Sequence, residues 1–443
     1  MEKRSIKSGA LGALVVLSLI VASCSPRVQN SMNIQATRTF IQSNWENAIR
    51  FNPNDTDGLI GLPKPYSIPS ITGAFQEMYY WDTYFTNVGL IIDGKVEQAK
   101  NNTEDILYLV QRYGFMPNGS RTVFLSRSQP PYLSMMVRDV YEHTHDKEWL
   151  KKALPVVEKE YQFWMTNRIT PVGLNRYASQ NDDAAKRGLY DAVEQRLGEN
   201  FRKESQNHTE TDKFRIGSHF LAEAESGWDF SPRFDSRCLD FCPVDLNSNL
   251  YMYEMNFAYF NAELGLSDGL KWKKAADKRK MLMHQYCQNK KDHLFYDYDF
   301  VNNKLSDVLS AANFNVLWTG VADKKDAFEM QKQLSRLELP HGVAACEKGE
   351  RKYAYQWDYP NGWANLQFLA IKGLNRYGYK TDARRIAMKY SDMVSANYIK
   401  TKNLWEKYNV VDGTTNTHNE YGLPTMMGWT AGVFVYASDY LTK

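Results

Sequence analysis

The chain has 443 residues, 43% of them hydrophobic, enough for one large core or two small ones. Its formal net charge is only +3, so it carries no electrostatic footprint for nucleic acid. Aromatic residues make up 14%, many of them Tyr and Trp, a surplus that suits a polar cleft with ring walls: sugars stack their C–H faces on rings while their hydroxyls need partners.

The N-terminus reads as targeting rather than fold. Lys3, Arg4 and Lys7 form a basic region, and the apolar run 9–21 is too short to span a bilayer. The following Val21-Ala22-Ser23-Cys24 resembles a bacterial lipoprotein signal in which Cys24 becomes the lipidated first residue; the other reading is an ordinary secretory signal with a chance cysteine. Ser25 does not suggest inner-membrane retention. Residues 1–23 are therefore expected to be a signal peptide, 24–37 a polar tether, and 38–443 one domain. A lipid-anchored monomer in the bacterial cell envelope is expected, touching membrane only through its lipid.

Helical periodicity then dominates, with helices predicted at 39–51, 96–113, 132–144, 148–168, 248–263, 269–288, 325–337, 363–373, 381–399 and 428–440. They come in pairs separated by loops rich in Gly, Pro, Asn and Asp. Beta signals are few, and 293–300 is expected to begin a small hairpin. Antiparallel pairs of roughly 35 residues each suit a closed ring of six helical hairpins. In such a ring the loops at one end converge on a funnel, where a rigid scaffold carries chemistry. Cys238, Cys242, Cys287 and Cys346 have only isolated histidines nearby, so neither a metal nor any other cofactor is expected. Cys238 and Cys242 are close enough in sequence to pair, though their spacing is no strong motif.

The unusual motifs lie in loops. The stretch AESGWDFSPRF, 224–234, sets Asp229 between Trp228 and Phe230. A carboxyl in an aromatic pocket holds its proton, which suits a general acid; the same letters also read as a plain loop with a helix N-cap. Four further loops mix rings with amides, guanidinium and carboxylate, as a sugar site does. They are GAFQEMYYWDTYF at 73–85, PNGSR at 117–121 leading into LSRSQPP, QWDYPNGW at 356–363, and LWEKY at 404–408 followed by Glu420-Tyr421 and Gly428-Trp429. Trp81 and Trp357 each stand beside an aspartate, Asp82 and Asp358, which argues against purely apolar surroundings.

Together these blocks resemble the trehalases of glycoside hydrolase family 37. The likeness runs from about Leu59 to Tyr440 and includes both family signatures, at 75–82 and 356–363, besides SRSQPP, ESGWDFS, PVDLNS and EKY in order. The resemblance implies an all-α fold, an (α/α)6 barrel, and hydrolysis of trehalose with inversion. It implies Asp229 as general acid and Glu406 as general base. It implies substrate contacts at Trp81, Asp82, Asn118, Arg127, Ser128, Gln129, Gly227 and Glu420, to which the ring at Trp357 is added. Inversion needs an acid and a base roughly 6.5–9.5 Å apart with a water on the far face of the sugar. Lys407 next to Glu406 either turns its charge toward the base or is an ordinary exposed lysine. Arg127 either offers its fork to hydroxyls or closes a salt bridge within its own turn.

Several positions depart from the family. Ala74 replaces a sugar-contacting arginine, and an Arg-Pro-Glu motif is missing after Asn175-Arg176-Tyr177. Lys186 or Arg187 stands in for it only with a shifted alignment. Asn409 replaces an Asp, 414–419 fills a loop that is glycine-rich in the family, and Pro424 stands for a glutamine. Three readings follow: a trehalase with a modified pocket, an inverting hydrolase of another α-glucoside, or a carbohydrate-binding lipoprotein that has lost turnover. Asp229 and Glu406, both present, argue against the third.

Overall fold

The computed structural model describes residues 26–180, 182–418 and 422–443. Fifteen α-helices of these described residues are α1 (Pro26–Asn44), α2 (Tyr80–Ile92), α3 (Val96–Tyr113), α4 (Leu133–Thr144), α5 (Lys147–Asn167), α6 (Asp183–Arg196), α7 (Glu199–Ser205), α8 (Glu210–Ser226), α9 (Val244–Glu263), α10 (Gly269–Tyr286), α11 (Asn313–Thr319), α12 (Lys324–Lys332), α13 (Ala364–Arg376), α14 (Lys380–Thr401) and α15 (Gly428–Thr442). Helices α2, α4, α9, α11, α13 and α15 each pack on the next, and α15 packs back on α2, so the inner ring closes. Outer helices α3, α10 and α14 pack on inner partners, and α1 packs on α14 and α15. This is the expected (α/α)6 barrel.

The seam of the ring is a glycine crossing. A Cβ on Gly432 would lie 2.0 Å from the Phe85 carbonyl oxygen, and one on Gly89 would lie 2.5 Å from Gly432 Cα. Two backbones this close tolerate no side chain at either point.

Most predicted helices stand within a few residues of their expected bounds, and the differences have physical causes. The segment expected to be a tether, 24–37, is instead helical from Pro26 onward. Thr37, Ile41 and Trp45 are buried along one narrow stripe, and Asp93 accepts from Arg38 (2.6 Å) and Trp45 (2.8 Å). Such an outer helix needs so little apolar surface that its start reads as polar chain. The same helix stops at Asn44, short of the predicted 51. Helix α2 is absent from the predicted set because eleven of its thirteen residues are buried; without a polar face it shows no period. Helix α11 escapes detection for the same reason. No helix is predicted over 183–226, yet α6, α7 and α8 form a unit there, with its own apolar cluster around Tyr190, Phe201, Phe220 and Phe230. The hairpin expected from 293 onward pairs Tyr298–Asp299 with Lys304–Leu305 and, on its other edge, with Phe241–Cys242. Cys238 and Cys242 are both buried free thiols, so they do not form a disulfide.

Candidate active site

The N-terminal ends of the inner helices and the loops before them enclose a cavity of about 180 Å3 that holds Asp229 and Glu406 together. Trp81, Asp82, Asn118, Arg127, Gln129, Gly227 and Trp357 also line it, so nearly all the expected site residues converge there. Ser128 does not. Its hydroxyl is buried and donates to the Met116 carbonyl (2.6 Å), so it shapes the loop rather than facing the cavity. Glu420 and Cys24 lie outside the described residues.

Gly227 ends α8 at φ +72°, and a Cβ there would meet the Trp81 ring at 2.7 Å. Glycine is thus required both by the left-handed turn and by the indole that packs on it. The turn releases Asp229 into the cavity. Its flanking rings point elsewhere: Trp228 packs on Trp357 at 5.0 Å, and Phe230 packs on Phe220 at 5.2 Å. Burial raises the Asp229 carboxyl to about 6; a backbone hydrogen bond and the charges of Arg127 and Arg196 pull it down, while Glu406 pushes it up. Asp82, in the first turn of α2, is raised further, to about 7, by burial and then by the charges of Glu406 and Asp229.

Glu406 has different surroundings. Lys407, fully buried, points the same way and donates from Nζ to Glu406 Oε2 at 2.7 Å. The same ammonium donates to Gln356 Oε1 (2.9 Å), and Gln356 Nε2 donates to the Asp229 carbonyl (3.1 Å). One chain of contacts therefore joins the backbone of one carboxylate to the side chain of the other. It is held by a two-stranded ladder that pairs Asn361–Trp363 with Lys407–Asn409, bringing QWDYPNGW and EKY together. Trp429 Nε1 donates to the Glu406 carbonyl at 3.1 Å, and the Pro424 carbonyl accepts from Glu406 N at 3.3 Å.

A second brace has no counterpart among the sequence expectations. Glu225, fully buried, accepts from Arg168 Nε and a terminal nitrogen at 2.8 Å each, from Ser128 N at 2.8 Å and from Ala178 N at 2.7 Å. It ties the SRSQPP loop to the end of α8, four residues before Asp229. Arg127 then faces the cavity with a buried Nε that has no hydrogen-bond partner among the described residues, over the Phe124 ring at 5.3 Å. It closes no salt bridge within its own turn. Asn118 donates weakly to the Ser128 carbonyl (3.4 Å), and Gln129 Oε1 accepts from Trp81 N (3.3 Å). Phe124 and Met426 also line the cavity, and no sequence signal singles them out. A desolvated carboxyl sharing a cavity with an ion-paired carboxylate, a guanidinium and ring walls can move protons to and from a bound sugar.

A sequence profile of trehalases matches residues 24–441. The chain belongs to the trehalase family. It is 32% identical over 435 residues to a periplasmic trehalase of Salmonella schwarzengrund, covering 92% of this chain and 74% of that one. It is 28% identical to the neutral trehalase of Saccharomyces cerevisiae, with a TM-score of 0.73 over 91% of this chain and 80% of that one. A mannosylglycerate hydrolase of Thermus thermophilus shares the fold alone, at 14% identity and a TM-score of 0.62, covering 92% of this chain and 100% of that one.

As a trehalase-family site it is altered where the sequence departs. Ala74 is exposed, beside Phe75 at the cavity. Lys186 pairs with Asp183 (2.8 Å), and Arg187 pairs with Asp191 (2.8 Å) and with Glu210. Both are thus held by acidic residues of α6 and α8. Asn409 caps its own turn, accepting from Val411 N at 2.9 Å.

Proposed function

We infer that the protein is an inverting trehalase, which hydrolyses trehalose to two glucose molecules. The observation that carries this reading is the pair of carboxylates in one cavity, one buried and protonated toward pH 6, the other paired to a buried lysine. Asp229 gives its proton to the glycosidic oxygen as the C1–O bond breaks. Glu406 takes a proton from a water, whose oxygen bonds to C1 on the opposite face. Arg127, Asp82, Asn118 and Gln129 supply hydrogen bonds to sugar hydroxyls, while Trp81 and Trp357 supply ring faces. Gly227 lets Trp81 approach, and Ser128 shapes the loop; Glu420 completes the set by the family likeness. A cavity of this size suits one sugar ring, with the second ring toward Phe75, Tyr79 and Phe124.

One observation favours a second reading, an inverting hydrolase of another α-glucoside. The arginine position at Ala74 is empty of charge, and Lys186 and Arg187 are already engaged by acids. Assay of trehalose, kojibiose, nigerose, maltose and isomaltose with the purified protein separates the two. The highest kcat/KM on trehalose supports the first; higher kcat/KM on another disaccharide supports the second; no glucose from any of them overturns both.

The cell envelope, with a lipid on Cys24, is the location that fits the N-terminal signal and the periplasmic relatives. No described helix is long and apolar enough to cross a membrane.

A further inference from the structure

The barrel has two mouths, and the larger cavity lies at the one away from Asp229 and Glu406. It measures about 620 Å3, within the ~300–1,000 Å3 usual for small-molecule sites. The later turns of α2, α4, α9, α11, α13 and α15 surround it. An aromatic partition separates it from the first cavity. Tyr84 stacks on Tyr132 at 4.7 Å, Tyr132 on Trp318 at 5.8 Å, and Phe85 meets Tyr132 at 5.2 Å and Phe368 at 5.6 Å.

Its lining is polar. Tyr84 is 1% exposed, yet its hydroxyl has no hydrogen bond among the described residues, and it borders this cavity. The hydroxyls of Tyr251 and Tyr436 and the carboxylate of Asp139 line the same space and are likewise without hydrogen-bond partners among the described residues. Tyr84 and Tyr251 are buried and Asp139 and Tyr436 half-buried, and all four turn donors and acceptors to whatever fills the cavity rather than to the protein. The set contains donors and acceptors together, beside the Trp318 ring. The C-terminal ends of the inner helices converge there too, with partial negative charge that disfavours an anion. Lys273, Lys372 and Arg376 line the same space and offset that charge, while Arg138 pairs with Glu142. A neutral molecule with many hydroxyls and an apolar ring face fits all of these features.

We propose that this distal mouth is a second, non-catalytic sugar site, which binds a neutral hexose through Tyr84, Tyr251, Tyr436 and Asp139 with its ring face toward Trp318. The site uses neither Asp229 nor Glu406, and it stands whichever disaccharide is hydrolysed. The probe is glucose, titrated calorimetrically into the wild-type protein and into a Tyr84→Phe/Asp139→Asn double variant. Both substitutions are nearly isosteric and remove only the polar groups. Two binding events are expected for the wild type. In the variant the distal event should weaken by about tenfold or more, with kcat/KM on the best disaccharide unchanged. A single event in the wild type, or two unchanged events in the variant, would overturn the proposal. A wild-type crystal soaked in glucose decides independently of the variant's folding. Glucose against Trp318 supports the site; an empty distal mouth beside an occupied active site overturns it.

Discussion

Asp229 keeps its proton to about pH 6 because burial penalises its charged form more than Arg127 and Arg196 favour it. Two consequences follow at this residue. If the protonated form is the acid, kcat/KM should fall tenfold per pH unit above about 6, and a profile flat to pH 8 would exclude the assignment. The raised carboxyl also affects stability. Its stabilising protonation is fully present below the unfolded value of about 3.8 and is lost as pH rises through 6. Asp229→Asn should therefore be more stable than wild type near pH 7, by at most about 3 kcal/mol, and equal to it near pH 3. Urea titrations at both pH values check this, and a variant less stable at neutral pH contradicts it. Asp229→Asn and Glu406→Gln should each cost activity at least 10²-fold, on the scale of a positioned acid or base. Lys407→Met leaves the Glu406 carboxylate buried without its ammonium and cuts the link to Gln356. It should cost about 3–5 kcal/mol in stability and most of the turnover; activity and melting within error of wild type would show that the pair positions nothing. Asp229, Glu406 and their aromatic surroundings are legible from short motifs. The direction of Lys407 is not, since one residue's position in sequence does not say which way its side chain turns.

Between α8 and the SRSQPP loop, the Glu225–Arg168 pair joins residues 57 apart in sequence. No local pattern announces such a contact, which is why it stays hidden while the motifs on either side stand out. Glu225→Gln should loosen Arg127 and Gln129 along with the end of α8, raising KM and lowering kcat together, with a lower melting temperature. A change in stability alone, with both kinetic constants intact, would reduce Glu225 to a purely structural brace. Gly227→Ala tests the same corner from the other side. The added methyl meets Trp81 at 2.7 Å and strains φ +72°, so both stability and activity should fall. Helix α2, which carries Trp81 and Asp82, is invisible to periodicity because burial on all sides erases the polar face; its motif is legible although its helix is not.

Across the whole molecule, the closed ring is legible because outer helices keep an amphipathic stripe and loops between pairs are short and rich in breakers. The first half of α1 is hidden by a surface so polar that it reads as tether, while its second half is legible from residue 39. The unit α6–α8 is hidden because its apolar cluster draws on Tyr353 and Tyr355, far along the chain. The proposed anchor belongs to the scale of the whole chain as well. If Cys24 is lipidated, wild-type protein should sediment with membranes and Cys24→Ser should not. Wild-type protein found soluble, with an N-terminus other than Cys24, contradicts the anchor.

The proposed reaction has Asp229 and Glu406 working from opposite faces of one sugar, and stereochemistry reads that directly. Proton NMR in the first minutes of trehalose hydrolysis, before mutarotation, should show α- and β-glucose appearing together in equal amounts. Release of α-glucose alone at early times would contradict inversion and, with it, the roles given to both carboxylates.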